Sequence, residues 1–192
     1  GNQVLVRLSQ PVTTDRLLLK ITESAAVPCI SELSLFKLPE VVETEGDSRL
    51  SKANVSKAEW KIVSATAGAA EHAIDNDPAT FWHTHMQQEQ NPPQDFVVDF
   101  GKEIRVSAFT YLPRQDGVVH GMTDKYRFEL SMDGKTWASA ADGEFGNLRA
   151  NPIEQTVPLK NPEPARFMRF TGLHAIEKNH VSAAEVGVIA AP

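Results

Sequence analysis

Two short stretches of this sequence carry side chains able to do chemistry. Residues 73–84 read Ala-Ile-Asp-Asn-Asp-Pro-Ala-Thr-Phe-Trp-His-Thr. Asp75, Asp77 and Thr80 offer hard oxygens at the alternating, then turn-like spacing with which a loop wraps Ca²⁺. The same Asp-Asn-Asp-Pro run also fits an Asx-type turn that needs no ion, and the residue types leave both readings open. Phe81 and Trp82 supply an aromatic anchor, so His83 is expected to project from a rigid base. The second stretch, Tyr111-Leu-Pro-Arg-Gln-Asp-Gly117, places Arg114 at the end of a strand. A fixed His and a fixed Arg beside an ion-pinned loop predict a small polar binding site. The alternative is that Arg114 pairs with Asp116 or Asp95 and locks its own loop, an exposed pairing worth little stability.

Catalysis is poorly provided for. Glycoside hydrolysis needs two carboxylates flanking a cleft, and Asp95, Asp99, Asp116 and Asp124 qualify by type alone. There is no serine nucleophile elbow, no zinc-binding His helix signature and no phosphate loop. The net charge of −6 comes without Lys/Arg clusters, which predicts neither nucleic acid nor an anionic membrane as partner. With 41% hydrophobic and 23% charged residues the composition is that of an ordinary globular protein. Cys29 is the single cysteine, so no disulfide forms within the chain.

The elements that must position these residues read as strands. Tyr126, Phe128, Leu130 and Met132 alternate with Lys125, Arg127, Glu129 and Ser131, the period of a half-buried strand. Asp133-Gly134 follows as a turn and Trp137 resumes the apolar set. Further strands are expected over 95–100, 104–112, 153–158, 166–173 and 184–189. Turn clusters at 91–93, 101–102, 142–143 and 161–164 separate them. Short strands between turns predict an all-β protein, a sandwich or jelly roll. Trp82, Trp137, Phe100 and Tyr126 are expected in its core, and His72, His174 and His180 on loops or surface. Trp60 fits either place.

The first part of the chain stands apart. Residues 39–52 are charged and polar and read as a linker. Before them, 3–8, 16–21 and 30–36 read as three strands, and 155–159, 166–170 and 182–189 repeat that plan. Residues 1–38 are therefore expected to be the closing strands of a preceding β-sandwich domain, with the module proper at 53–192. The alternative is a single domain carrying a few extra N-terminal strands.

From about Ala53 onward the sequence resembles the coagulation factor five/eight type C (discoidin) domain, and within it the galactose-binding-like carbohydrate-binding module family 32. The matching pieces are Ala73-Ile74-Asp75, Thr80-Phe81-Trp82-His83-Thr84, Val98-Asp99-Phe100-Gly101 and Pro113-Arg114-Gln115-Asp116-Gly117. Tyr126 with Ser131-Met132-Asp133-Gly134-Lys135-Thr136-Trp137, and Ala183-Ala184-Glu185-Val186, complete the set. The resemblance implies an antiparallel jelly-roll β-sandwich of eight strands with a sugar held by loops at one end. It also implies a structural calcium ion. The Asp75 carboxylate, Asp77, Thr80, the carbonyl near His72, the Ala184 carbonyl and the Glu185 carboxylate would hold it. His83 and Arg114 match the polar sugar contacts. Arg offers a planar fork of donors and neutral His one donor and one acceptor.

The sequence departs from the family in two places. Residues 64–68 lack an acidic contact, and His85-Met86 stand where some members carry an aromatic platform, so either binding is weaker or His85, His120 or Phe145 takes that role. Residues 26–36 resemble the end of the sandwich that follows the barrel of bacterial α-L-fucosidases. The implied function is a non-catalytic module of a larger glycoside hydrolase that holds a terminal galactose-type sugar weakly. A covalently linked catalytic domain would lie upstream, at a bacterial surface, in the periplasm or outside the cell. A spacer with a decayed sugar site, or a lipid- or protein-adhesion domain, are the competing functions.

Overall fold

The computed structural model describes residues 12–21, 53–84, 91–177 and 179–191. The chain divides into two compact units, one containing Ser51–Pro192 and the other Leu5–Leu50. Of the smaller unit only 12–21 is described. It runs without regular structure and is exposed throughout, so the strand expected over Arg16–Ile21 is not formed. Leu17, Leu18 and Leu19 are 55%, 87% and 51% exposed; an extended segment without a ladder neighbour gains neither backbone pairing nor apolar burial.

The larger unit is built from eight strands among the described residues: β1 Lys61–Ala65, β2 Trp82–His83, β3 Gln94–Leu112, β4 Thr123–Ser131, β5 Ala138–Glu144, β6 Gln155–Ala175, β7 Ser182–Ala183 and β8 Glu185–Ala190. Every strand pair is antiparallel. The main sheet runs β1-β3-β6-β4-β5, with β8 also paired to β3, while β2 and β7 form a separate ribbon. One turn of 3₁₀ helix, Ala70–Ala73, precedes the aspartate loop.

Two long strands tie the layers together. The register of β3 slips between Asp99 and Ile104, and again between Val106 and Ala108. Gly101 makes the first slip possible: its φ is +77° and its N–H bonds to Asp99 Oδ1 at 2.8 Å. The first half of β3 therefore pairs with β1 and the second with β8, while β6 follows it on both sides. Phe96, Val98, Phe128 and Phe170 face Phe109, Tyr111, Val186 and Val188 in one fully buried core. Phe109 stacks on Phe128 at 4.2 Å and 11°, a contact between β3 and β4 in that core. This is the antiparallel β-sandwich expected from the alternating pattern.

Several details differ from expectation. Asp142-Gly143 is not a turn but lies within β5, near its end, with Gly143 opposite Tyr126. A Cβ there would stand 2.9 Å from the Tyr126 hydroxyl, so the glycine makes room for a cross-strand aromatic. Residues 161–164 are likewise within β6, where Glu163 and Pro164 pair with Val106 and Arg105. Met132 lies past the end of β4 and is 48% exposed. Trp137 is only half-buried, with the Arg169 guanidinium 4.1 Å from its ring. Trp60 is buried against Phe100 at 4.9 Å.

Candidate functional site

One buried carbonyl organises the loop end of the sandwich. Ser182 O accepts the Tyr111 and Thr123 hydroxyls, both at 3.0 Å. The Tyr111 hydroxyl in turn accepts the Thr123 N–H at 3.0 Å. Burial pushes its pKa well above the ordinary tyrosine value, so it stays protonated and donates. Ser182 Oγ donates to the Gly121 carbonyl at 2.8 Å, and Ser182 pairs with His83 across the β2–β7 ribbon. Thr84, fully buried, exchanges bonds with Val181 at 3.0 and 3.1 Å. Trp82 Nε1 donates to Ala67 O at 2.6 Å. The backbone beneath His83, Arg114 and His120 is thus pinned from three strands.

Above this base the side chains converge. Arg114 donates from Nε to Asp116 Oδ1 at 2.8 Å, from Nη2 to Asp116 Oδ2 at 2.5 Å, and from Nη1 to the His120 carbonyl at 3.0 Å. Its Cζ lies 4.3 Å from the centre of the Phe81 ring, a stacked cation. Phe81 and His83 rings are 5.5 Å apart. The Arg114 guanidinium beside Asp116 holds that carboxyl below the usual aspartate value. His120 Nδ1 meets Glu177 Oε2 at 2.8 Å, and Glu177 also pairs with Arg149. Glu177 adopts φ +62°, a costly conformation for a non-glycine residue.

The structure therefore brings His83 and Arg114 together on the Phe81 ring and ties the His120 carbonyl to Arg114, while the His120 ring turns to Glu177. The pairing of Arg114 with Asp116 is present, and it orients a guanidinium that is largely buried. His85 lies outside the described residues. Phe145 does not belong to the site: it is 7% exposed, stacked on Tyr111 at 4.6 Å and on Tyr126 at 4.1 Å. With both neighbours in stacked geometry it is a core ring and no platform for a sugar. His180 is buried under Gly121, not on the surface, while His174 is exposed and meets Asp124 at 2.7 Å. Sequence reasoning missed Phe81 as the bed of Arg114, and Glu177 and Arg149 altogether. Neither of the last two sits in a motif.

The aspartate loop is ordered by its own oxygens. Asp75 Oδ1 accepts the Asp77 N–H at 2.9 Å, and Asp75 Oδ2 accepts the Thr80 hydroxyl at 2.7 Å. Asp77 Oδ1 caps the Ala79 N–H at 2.9 Å, and its carbonyl takes the Thr80 N–H at 3.1 Å. Asx-turn chemistry is thus present. His72 is exposed on the 3₁₀ turn and Ala184 is buried on the approach to β8. Among the described residues no three His, Cys, Asp or Glu side chains cluster, so any ion here would depend on carbonyls and Thr80. Glu185 carries the fit test. It is 5% exposed, and its Oε1 is buried with no hydrogen-bond partner. Burial pushes its pKa up to about 7 against the downward pull of Lys57, and the nearby Asp75 carboxylate adds to the rise. Two adjoining carboxylates, one with an orphan oxygen, are a donor set that fits a hard cation.

A sandwich of this topology, with polar side chains gathered on loops at one end, defines a domain of the galactose-binding-like class. The F5/8 type C domain family matches residues 52–186, and the chain belongs to that family. A galactose oxidase of Gibberella zeae is 30% identical over 146 residues, which is 71% of this chain and 21% of that protein. The chain thus spans about a fifth of that relative's length. Among solved structures, a CBM32 domain of Clostridium perfringens in complex with GalNAc-β-1,3-galactose is 27% identical, with a TM-score of 0.64, over 71% of this chain and 99% of its own. A family 32 module from the same organism in complex with galactose is 26% identical, with a TM-score of 0.63, over 71% and 97%.

Proposed function

We propose that residues 53–192 form a non-catalytic module that holds a terminal galactose-type sugar, weakly, at the Phe81–His83–Arg114–His120 end. The observation that carries this is the state of Arg114. Its side chain is 12% exposed and 4.3 Å above the Phe81 ring centre, with three of its five donors committed to Asp116 and the His120 carbonyl. The remaining two suit the adjacent hydroxyls of one sugar. His83 would read a further hydroxyl, and the Glu177 carboxylate supplies an acceptor that residues 64–68 lack. The two C. perfringens modules bound to galactose and to GalNAc-β-1,3-galactose support the choice of sugar. A shallow polar site of this kind has affinities on the order of millimolar. Tethering would raise the local substrate concentration of a linked hydrolase.

The test is a heteronuclear NMR titration with galactose, N-acetylgalactosamine, fucose and lactose beside an Arg114→Ala variant. Saturable shifts that vanish in the variant support the module. No shift with any sugar in a folded sample refutes it and favours a spacer.

We also propose that Asp75, Thr80 and Glu185, with the carbonyls of residues near His72, Asp77 and Ala184, hold a structural Ca²⁺. Bound to the folded state alone, the ion stabilises the loop against β8. A Tm that is unchanged between calcium and chelator would sink this reading. Residues 1–38 read as the end of a preceding sandwich and 39–52 as a linker, in an extracellular or periplasmic glycoside hydrolase of α-L-fucosidase type. The sequence of 26–36 supports that parentage, and those residues lie outside the described part. Limited proteolysis that spares 39–52 would count against the linker. Release of fucose from an aryl fucoside by this chain would overturn the non-catalytic assignment.

A further inference from the structure

We propose that Lys57 is a built-in counter-cation for Glu185, the carboxylate that adjoins Asp75, weakening calcium binding while letting the module stay folded without the ion. The proposal rests on the calcium reading above. Lys57 lies in the segment that leads into β1, 128 residues in sequence from Glu185. Its Nζ pairs with Glu185 Oε2, and the two side chains are 5% and 7% exposed. The ammonium also stands 5.8 Å from the centre of the buried Trp60 ring. Gly187 lies alongside, where a Cβ would come within 3.8 Å of Lys57 Cε and closer still to Ala53 and Thr110. Burying a lysine this deeply is costly unless a carboxylate answers it, and Glu185 does.

The pairing is one-sided. Lys57 takes Oε2, while Oε1 stays buried without a partner. Asp75, the neighbouring carboxylate, spends its oxygens on the Asp77 N–H and the Thr80 hydroxyl. Lys57 therefore answers Glu185, and the charge of the adjoining Asp75 carboxylate is left for a second cation. That cation and Lys57 would repel each other across a single buried carboxylate, where charges interact strongly. Their binding is then antagonistic, and the antagonism is reciprocal. Lys57 lowers the affinity for calcium. Calcium lowers the contribution of Lys57 to stability.

The experiment measures melting and calcium titration calorimetry on the whole chain, wild type against Lys57→Met, which keeps the stem and removes the charge. We expect Lys57→Met to melt lower than wild type in chelator, to recover most of that loss in calcium, and to bind calcium at least about tenfold more tightly. Equal calcium affinity in the two proteins, or weaker affinity in Lys57→Met, overturns the proposal. If the variant folds only when calcium is added, the same coupling is seen and the proposal stands. Lys57→Arg retains the charge and must bind calcium as the wild type does; tighter binding there overturns it. Absence of calcium heat in every protein refutes the calcium reading itself, and the proposal falls with it.

Discussion

Tyr111→Phe removes one oxygen from the centre of the molecule and leaves the ring in place. The hydroxyl accepts the Thr123 N–H and donates to Ser182 O, each at 3.0 Å, with Tyr111 fully buried. Ser182 O keeps a second donor, the Thr123 hydroxyl, so its loss is small. The Thr123 N–H is left buried without that acceptor, which costs about 1–3 kcal/mol. No ring volume is lost, so no large cavity term adds. A change of about 2 kcal/mol in a unit of this size lowers Tm by about 6–8 °C. Because Ser182 also pairs with His83, and Tyr111 leads into Arg114, galactose binding should weaken in the same variant. Paired urea and thermal melts with a galactose titration measure both. A Tm drop under about 2 °C would refute the hub described above, since it would mean that the Thr123 N–H finds another partner.

Phe145→Ala should cost about 3–5 kcal/mol, read by urea denaturation, and leave the sugar affinity of the folded protein unchanged. A selective loss of affinity would return Phe145 to the site. Gly68→Ala places a Cβ against the His83 carbonyl at a φ of +77°; it should destabilise by more than about 3 kcal/mol and abolish sugar-induced shifts. Asp116 and Asp99 have pKa values lowered by Arg114 and Arg166. Unfolded aspartates bind protons first, so the stabilisation from both is complete above pH 3.8. It is lost as pH falls below that value through the depressed folded pKa values. Asp116→Asn should flatten part of that acid limb in a series of melts.

The strand alternation of Tyr126, Phe128 and Leu130 and the apolar runs of β3 and β6 made the sandwich legible, because period-two burial is written directly in residue type. The placement of Arg114 and His83 was legible for a related reason: each stands within three residues of a buried strand aromatic, Tyr111 or Trp82, that fixes its backbone. The two-residue ribbon β2–β7 was not. It is too short to have a period and exists only because Ser182 and Thr84 are held by remote partners. Glycine in β5 and proline in β6 read as turns, since sequence does not reveal that Tyr126 needs the space opposite Gly143 or that the β6 ladder tolerates Pro164. Phe145 was misassigned because an isolated aromatic in a loop looks alike whether its faces meet water or two tyrosines. Glu177 reached the site through a left-handed backbone that nothing in its residue type announces.

The two ends of the module meet. Asn54 N–H bonds to Val188 O at 3.3 Å, Asn54 Oδ1 takes the Ala190 N–H at 2.7 Å, and the Ala191 N–H reaches Arg105 O at 2.7 Å. From there β8 runs about 17 Å before Glu185 pairs with Leu112 beside the Arg114 loop. The module's first and last described residues lie at one pole, and the Arg114 loop stands at the other. A tug between flanking segments would peel the β8 end bond by bond, starting at Ala190, before any strain travelled to His83 or Arg114. The loops around Phe81 and Arg114 are thus the last part of the module to feel a pull on its ends.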